Sequence, residues 1–193
     1  MNYRDIIVFD FETGGRNPHK CQPTQIAAIA IHARKLTMQP GGVFNSEMRP
    51  ILDDEKAVAA GLDPVEDEAL EITHKTRAKL ARAPLPKTVW KKFGQFCNKY
   101  NFKRGRQKLF NPIFTMDLMQ HVYCWFENNA DVKGYSMDYM RDYFGMPSDN
   151  AHDALQDVKD TANILIKFLK MQRNLSKKIK FEKAFAKGEM YVV

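Results

Sequence analysis

Apolar positions in the first fifty residues fall in short blocks, and later ones recur at helical spacing. The stretch Ile6-Ile7-Val8-Phe9-Asp10-Phe11-Glu12-Thr13-Gly14-Gly15 opens as an apolar run and then alternates, which predicts a first strand. Gln25–Ile31 is a second apolar run, predicted as a strand buried on both faces. Pro40-Gly41-Gly42 reads as a hairpin-like break, and Val43–Met48 as a third strand ended by Arg49-Pro50. The polar residues 52–67 predict loop with a short helical turn. Glu68–Ala81 is helical in composition, and Ala83-Pro84-Leu85-Pro86 stops it. Val89, Trp90, Phe93, Phe96, Cys97 and Tyr100 share one face of a helix, an aromatic stripe best read as core. Asn101–Lys108 is polar and basic, Phe110–Met116 suits a short strand, and Asp117–Phe126 suits a helix. Ser136 caps a short helix through Phe144 that Gly145 ends. Leu155, Val158, Ala162, Leu165, Ile166 and Leu169 mark a last long helix.

At 193 residues the pattern suits one α/β domain with a sizeable core. A formal net charge of +7 adds an expectation of a polyanionic partner such as nucleic acid. Lys167, Lys170, Arg173, Lys177, Lys178, Lys180, Lys183 and Lys187 extend that bias into the C-terminus. The chain accordingly divides into a domain over 1–172 and a basic extension over 173–193 suited to phosphate contacts. Cys21, Cys97 and Cys124 are widely spaced and include no C-x-x-C, so a reducing, cytoplasmic setting is expected. Arg4 and Asp5 precede any apolar run, which argues against a signal peptide, and no run is long enough to span a bilayer.

Candidate chemistry sits at the end of the first strand. Asp10 and Glu12 are two apart, so their side chains leave the same face about 7 Å apart along the strand. Paired like charges call for a cation between them, and Mg²⁺ or Mn²⁺ prefers oxygen ligands. Taken alone, the pattern also fits a strand that ends in solvent. A second group opens the last helix: His152 in the entrance turn, Asp157 on the polar side, and Asp153 and Asp160 beside it. Asp153 suits the helix N-terminus, and Asp160 suits a solvated face.

Phe9-Asp10-Phe11-Glu12-Thr13-Gly14-Gly15 together with His152-Asp153-Ala154-Leu155-Gln156-Asp157 closely resembles the first and third motifs of the DEDDh, or DnaQ-like, 3′–5′ exonucleases. Gln25-Ile26-Ala27 looks like that family's second strand and Ile72-Thr73-His74 its H-G-I-T region. Phe114–Leu118 is similar to the strand carrying its D-T or D-L pair, and Tyr135–Gly145 to its short helix. The resemblance implies an RNase H-like fold, with a mixed five-stranded central sheet flanked by helices. It implies two divalent ions, Mg²⁺ or Mn²⁺, about 3.5–4 Å apart, with Asp10, Glu12 and Asp157 as ligands. His152 would be the general base that deprotonates the attacking water, and the Thr13-Gly14 backbone would line the pocket of the 3′-terminal nucleotide. The implied reaction releases nucleoside 5′-monophosphates from the 3′ end of single-stranded DNA or RNA. A polymerase or another replication protein is an implied partner.

One family landmark is absent. The middle motif should supply a fourth carboxylate, yet no Asp or Glu occurs between Glu71 and Asp117. The fold is therefore expected to be trimmed in its middle. Asp117 is the nearest substitute, while Arg104 and Arg106 would compete with metal for the remaining acids if they lay close. The alternative function is a catalytically inactive nucleic-acid-binding module that keeps the exonuclease fold.

Overall fold

The computed structural model describes residues 5–100, 115–148 and 152–178, with side chains to residue 175. Three strands, β1 (Ile6–Thr13), β2 (Pro23–His32) and β3 (Thr37–Glu47), form an antiparallel sheet in that order. Ile6 lies opposite Ile31 and Glu12 opposite Gln25, which fixes the register of the acidic strand. Residues 24–31 of β2 are all buried because both faces of the sheet are covered. Successive side chains of a strand alternate in direction. Ile26, Ala28 and Ala30 therefore meet one helical layer, and Ala27, Ile29 and Ile31 the other.

The first layer is α4 (Pro86–Tyr100), which places Val89, Phe93, Phe96 and Cys97 against β2. The expected aromatic stripe is core: Phe9 meets Phe93 edge-on with ring centroids 6.1 Å apart. On the opposite face α5 (Leu118–Phe126), α6 (Met137–Tyr143) and α7 (Ala154–Lys178) contribute Leu118, Val122, Met140, Val158 and Leu165. Three short helices, α1 (Asp54–Ala59), α2 (Asp67–Ile72) and α3 (Arg77–Arg82), lead from β3 to α4.

Pro40-Gly41-Gly42 does not turn the chain. The turn lies at residues 33–36, where Leu36 takes a φ of 55°, and β3 runs straight through the Pro-Gly-Gly segment. Among the described residues β3 has no further strand on its outer edge, where a proline's missing N–H costs no ladder bond. Gly41 has a φ of 61°, and the β2–β3 register shifts between Ile29 and Ile31 opposite it. The segment is thus a bulge, not a hairpin. A β-carbon on Gly42 would lie 2.7 Å from the Gln39 carbonyl oxygen, so that crowded position requires glycine.

The helix expected over Glu68–Ala81 is two helices. Thr76 caps α3 by accepting from the Lys79 N–H, and His74 takes a φ of 54° in the break. Threonine side chains compete for backbone groups in this way and end helices. The helix expected over Asp117–Phe126 is α5, and Asp117 caps it by accepting from the Met119 N–H at 2.9 Å. The three strands described are all antiparallel, where a mixed five-stranded sheet was implied. Asn101–Lys108, with Arg104 and Arg106, and residues 110–114 of the expected short strand lie outside the described residues.

The boundary expected between residues 172 and 173 falls inside α7, which crosses it unbroken. Arg173 donates to the carbonyls of Ala33 and Arg34, tying α7 to the β2–β3 turn. Residues 179–193 of the basic extension lie outside the described residues.

Candidate active site

Asp10 and Glu12 leave β1 on one face, as their spacing dictates. Asp157 reaches them from the first turns of α7, whose position is set by its cap. One Asp153 carboxylate oxygen accepts from the N–H groups of Leu155 and Gln156, and the other accepts from the Gln25 side-chain amide at 3.3 Å. One residue therefore caps the helix and ties its start to β2. One turn further on, one oxygen each from Asp10, Glu12 and Asp157 lies within 4.8 Å of the other two.

Crowding three acids in a partly buried cleft raises their proton affinity. Burial, reinforced by Asp157, pushes Asp10 up to about 6 against the Phe11 N–H and Arg141. Burial takes Glu12 up to about 8, with Lys75 opposing and Asp10, Asp157 and Asp153 adding to it. Asp157 is raised by burial too, although Arg141 and His152 act against the rise. The donor set fits a hard divalent cation, since all three groups offer carboxylate oxygen and their mutual repulsion would be relieved by one.

His152 stands at the rim in the left-handed region, with a φ of 64° and its side chain 47% exposed. Its backbone N–H faces the Asp157 carboxylate, and its Nε2 lies 4.0 Å from Asp138. The imidazole is thus open to solvent beside the acids. Thr13 follows directly, its hydroxyl donating to the Gly15 carbonyl at 2.9 Å. Gly14 is turned inward: its N–H donates to the Gln22 carbonyl, and Val65 packs against its α-carbon. Asp117 lines an apolar cavity of 560 Å³ together with Asp10 and Asp157 but is not in the carboxylate cluster.

Two basic residues of the site were not foreseen. Arg141 of α6 is 2% exposed, and its guanidinium bonds Asp157, Asp160 and Asp138. Asp160, expected on a solvated face, is only 3% exposed because it is the buried partner in this network. The sequence held a weak signal: Arg141 follows the buried Met140 on α6, and Asp157 and Asp160 are spaced to share one face of α7. Lys75 is 7% exposed in the α2–α3 break, donating to the Thr73 carbonyl at 3.2 Å. Burial lowers its proton affinity, while Glu12, Asp153 and Glu47 oppose that. With Glu47, Lys79, His152, Asp153 and Lys159 it lines a polar cavity of 600 Å³.

A sheet whose first strand carries paired acids, met by an acid from a late helix and a histidine in the turn before it, brings the two sequence motifs to one cleft of an RNase H-like fold. Residues 7–165 match RNase_T, the exonuclease family, and the chain belongs to it. It is 23% identical over 171 residues to the DNA polymerase III subunit epsilon of Aquifex aeolicus, covering 85% of this chain and 80% of that one. It is 24% identical over 182 residues to the PolC-type DNA polymerase III of Caldanaerobacter subterraneus subsp. tengcongensis, covering 86% of this chain and 12% of the relative. The chain thus spans a small part of that polymerase. Among solved structures, the nuclease domain of 3′hExo, a DEDDh family member bound to rAMP, superposes with a TM-score of 0.65 at 17% identity. That match covers 88% of this chain and 93% of the other.

Proposed function

We propose that this protein removes nucleotides one at a time from the 3′ end of single-stranded nucleic acid, with Mg²⁺ or Mn²⁺ held by Asp10, Glu12 and Asp157. The observation that carries this reading is the convergence of three carboxylates from opposite ends of the chain within 4.8 Å of one another. Like charges gathered at that cost to stability are characteristic of functional sites. A bound divalent ion would neutralise the three acids and the developing charge on phosphate.

His152 is the general base of this proposal. Its solvent-facing ring accepts a proton from the attacking water, a task suited to imidazole near neutral pH. The water oxygen attacks the terminal phosphodiester, the bond to the 3′ oxygen of the preceding nucleotide breaks, and a nucleoside 5′-monophosphate departs. Thr13 lies where a terminal ribose would approach Glu12. The net charge of +7 favours a polyanionic substrate. Likeness to an epsilon subunit supports a polymerase or other replication protein as partner, and the free cysteines support a cytoplasmic setting. No described helix is long and apolar enough to cross a membrane.

Single-stranded DNA and RNA oligonucleotides labelled at the 5′ end test this reading with Mn²⁺ present. Successive shortening from the 3′ end, lost in Asp10→Asn and His152→Ala, is the expected result. No shortening above the Asp10→Asn background on either substrate would overturn it. A second reading, binding without hydrolysis, draws on Arg141 already occupying Asp157. It predicts intact oligonucleotide and salt-sensitive binding that Asp10→Asn leaves unchanged.

A further inference from the structure

We infer that Arg141 is the fixed second cation of the centre, so that the site takes a single divalent ion; this rests on the hydrolytic reading above. Three nitrogens of the guanidinium are committed to acids. Nε donates to Asp160 at 2.8 Å, one terminal nitrogen to Asp138 at 2.9 Å, and the other to Asp157 Oδ1. Asp160 is held from its other side as well, by the Gln156 side-chain amide at 2.9 Å. A planar, five-donor group locked by several partners does not swing aside as a lysine would.

Position makes the assignment. Arg141 approaches Asp157 from α6, while Asp10 and Glu12 approach from β1. Asp157 Oδ1 accepts from the arginine, and the carboxylate also faces the His152 backbone N–H, so an ion shared with β1 meets a carboxylate already bonded to a fixed cation. An arriving ion must then coexist with a positive charge bonded to its own ligand, which disfavours a second ion on the same carboxylate. The described residues contain one cluster of three potential ligands, and residues 72–116 supply no further acid. Arg141 thus sets a fixed positive charge against the one ligand that α7 brings to the cluster. Through Asp160 and Gln156 it also fixes the rotation of α7 that presents Asp157 to the strand, which makes it a positioning residue.

Titration of the full chain with Mn²⁺, followed by calorimetry and electron paramagnetic resonance, tests the inference without reference to activity. One ion per chain, with the six-line spectrum of an isolated Mn²⁺, is expected. The double variant Arg141→Gln, Asp160→Asn removes both members of the buried pair and should raise the count to two, with a spin-coupled spectrum. Two coupled ions in the natural chain would overturn the inference while leaving the hydrolytic reading intact. A count that stays at one in a folded double variant would overturn the role of Arg141. No bound Mn²⁺ in the natural chain would overturn the hydrolytic reading, and this inference with it.

Discussion

Gln25 and Asp153 are 128 residues apart in sequence and joined by a hydrogen bond of 3.3 Å. Gln25 faces Glu12 across the β1–β2 ladder, and Asp153 caps the helix that carries Asp157. That contact joins the cap of the late helix to β2, beside the core packing of Val158 and Leu165. Asp153→Ala removes cap and contact together and should cost about 1–2 kcal/mol of stability. It should also weaken Mn²⁺ binding, because Asp157 is no longer held one turn from a fixed point. Denaturant unfolding and calorimetry read the two effects separately.

Neutralising one acid should trade activity for stability. Asp10→Asn removes a buried charge from beside two others, so the metal-free protein should melt several degrees higher, about 1 kcal/mol more stable. The same variant should lose about 1000-fold or more in exonuclease rate. A thermal melt and a gel assay on one preparation check both.

The metal-free protein should lose stability as pH rises from about 4 to about 8. Asp10 and Glu12 bind protons more tightly folded than unfolded, with values of about 6 and about 8 against 3.8 and 4.5. Over that interval the folded state holds more protons, so stability falls with each rise in pH. Saturating Mn²⁺ should reverse the trend, because the ion needs the deprotonated acids. The increase in melting temperature on adding Mn²⁺ should accordingly be larger at pH 8 than at pH 6.

Arg141→Ala should destabilise the fold by about 3–5 kcal/mol, since it strands the buried Asp160 without its partner. The paired change Arg141→Gln, Asp160→Asn should recover most of that loss. Chemical denaturation of the natural chain and the two variants compares the loss with its recovery.

Phe93→Ala should cost about 3–5 kcal/mol through the cavity it leaves beneath the sheet. Phe93 is 1% exposed and meets the rings of Phe9, Phe44 and Trp90. Urea unfolding gives the value directly.

Elements with strong periodicity were readable from sequence. The apolar run at Gln25–Ile31 specified a doubly buried strand, and the spacing from Val89 to Tyr100 specified both a helix and its packed face. Asp10, Glu12, His152 and Asp157 were readable because two local motifs carried them. Pro40-Gly41-Gly42 misled, because a bulge in an outer strand and a turn use the same residues. Helix composition from Glu68 to Ala81 hid the break at His74, where capping threonines outweighed propensity. Lys75 left no signal at all, since its burial depends on that break. Arg141 and Asp160 were legible only as one charge on a mixed helix and one of two acids on a helix face. Their union is a tertiary fact that neither segment contains.

Pro40 and the bulge around Gly41 also bear on how the molecule behaves in concentrated solution. The outer rim of β3 lacks one amide and bends at the position where an incoming chain would dock. Such a rim is a poor template for strand addition. The protein is thereby shielded on that side from stacking with its own copies into fibres.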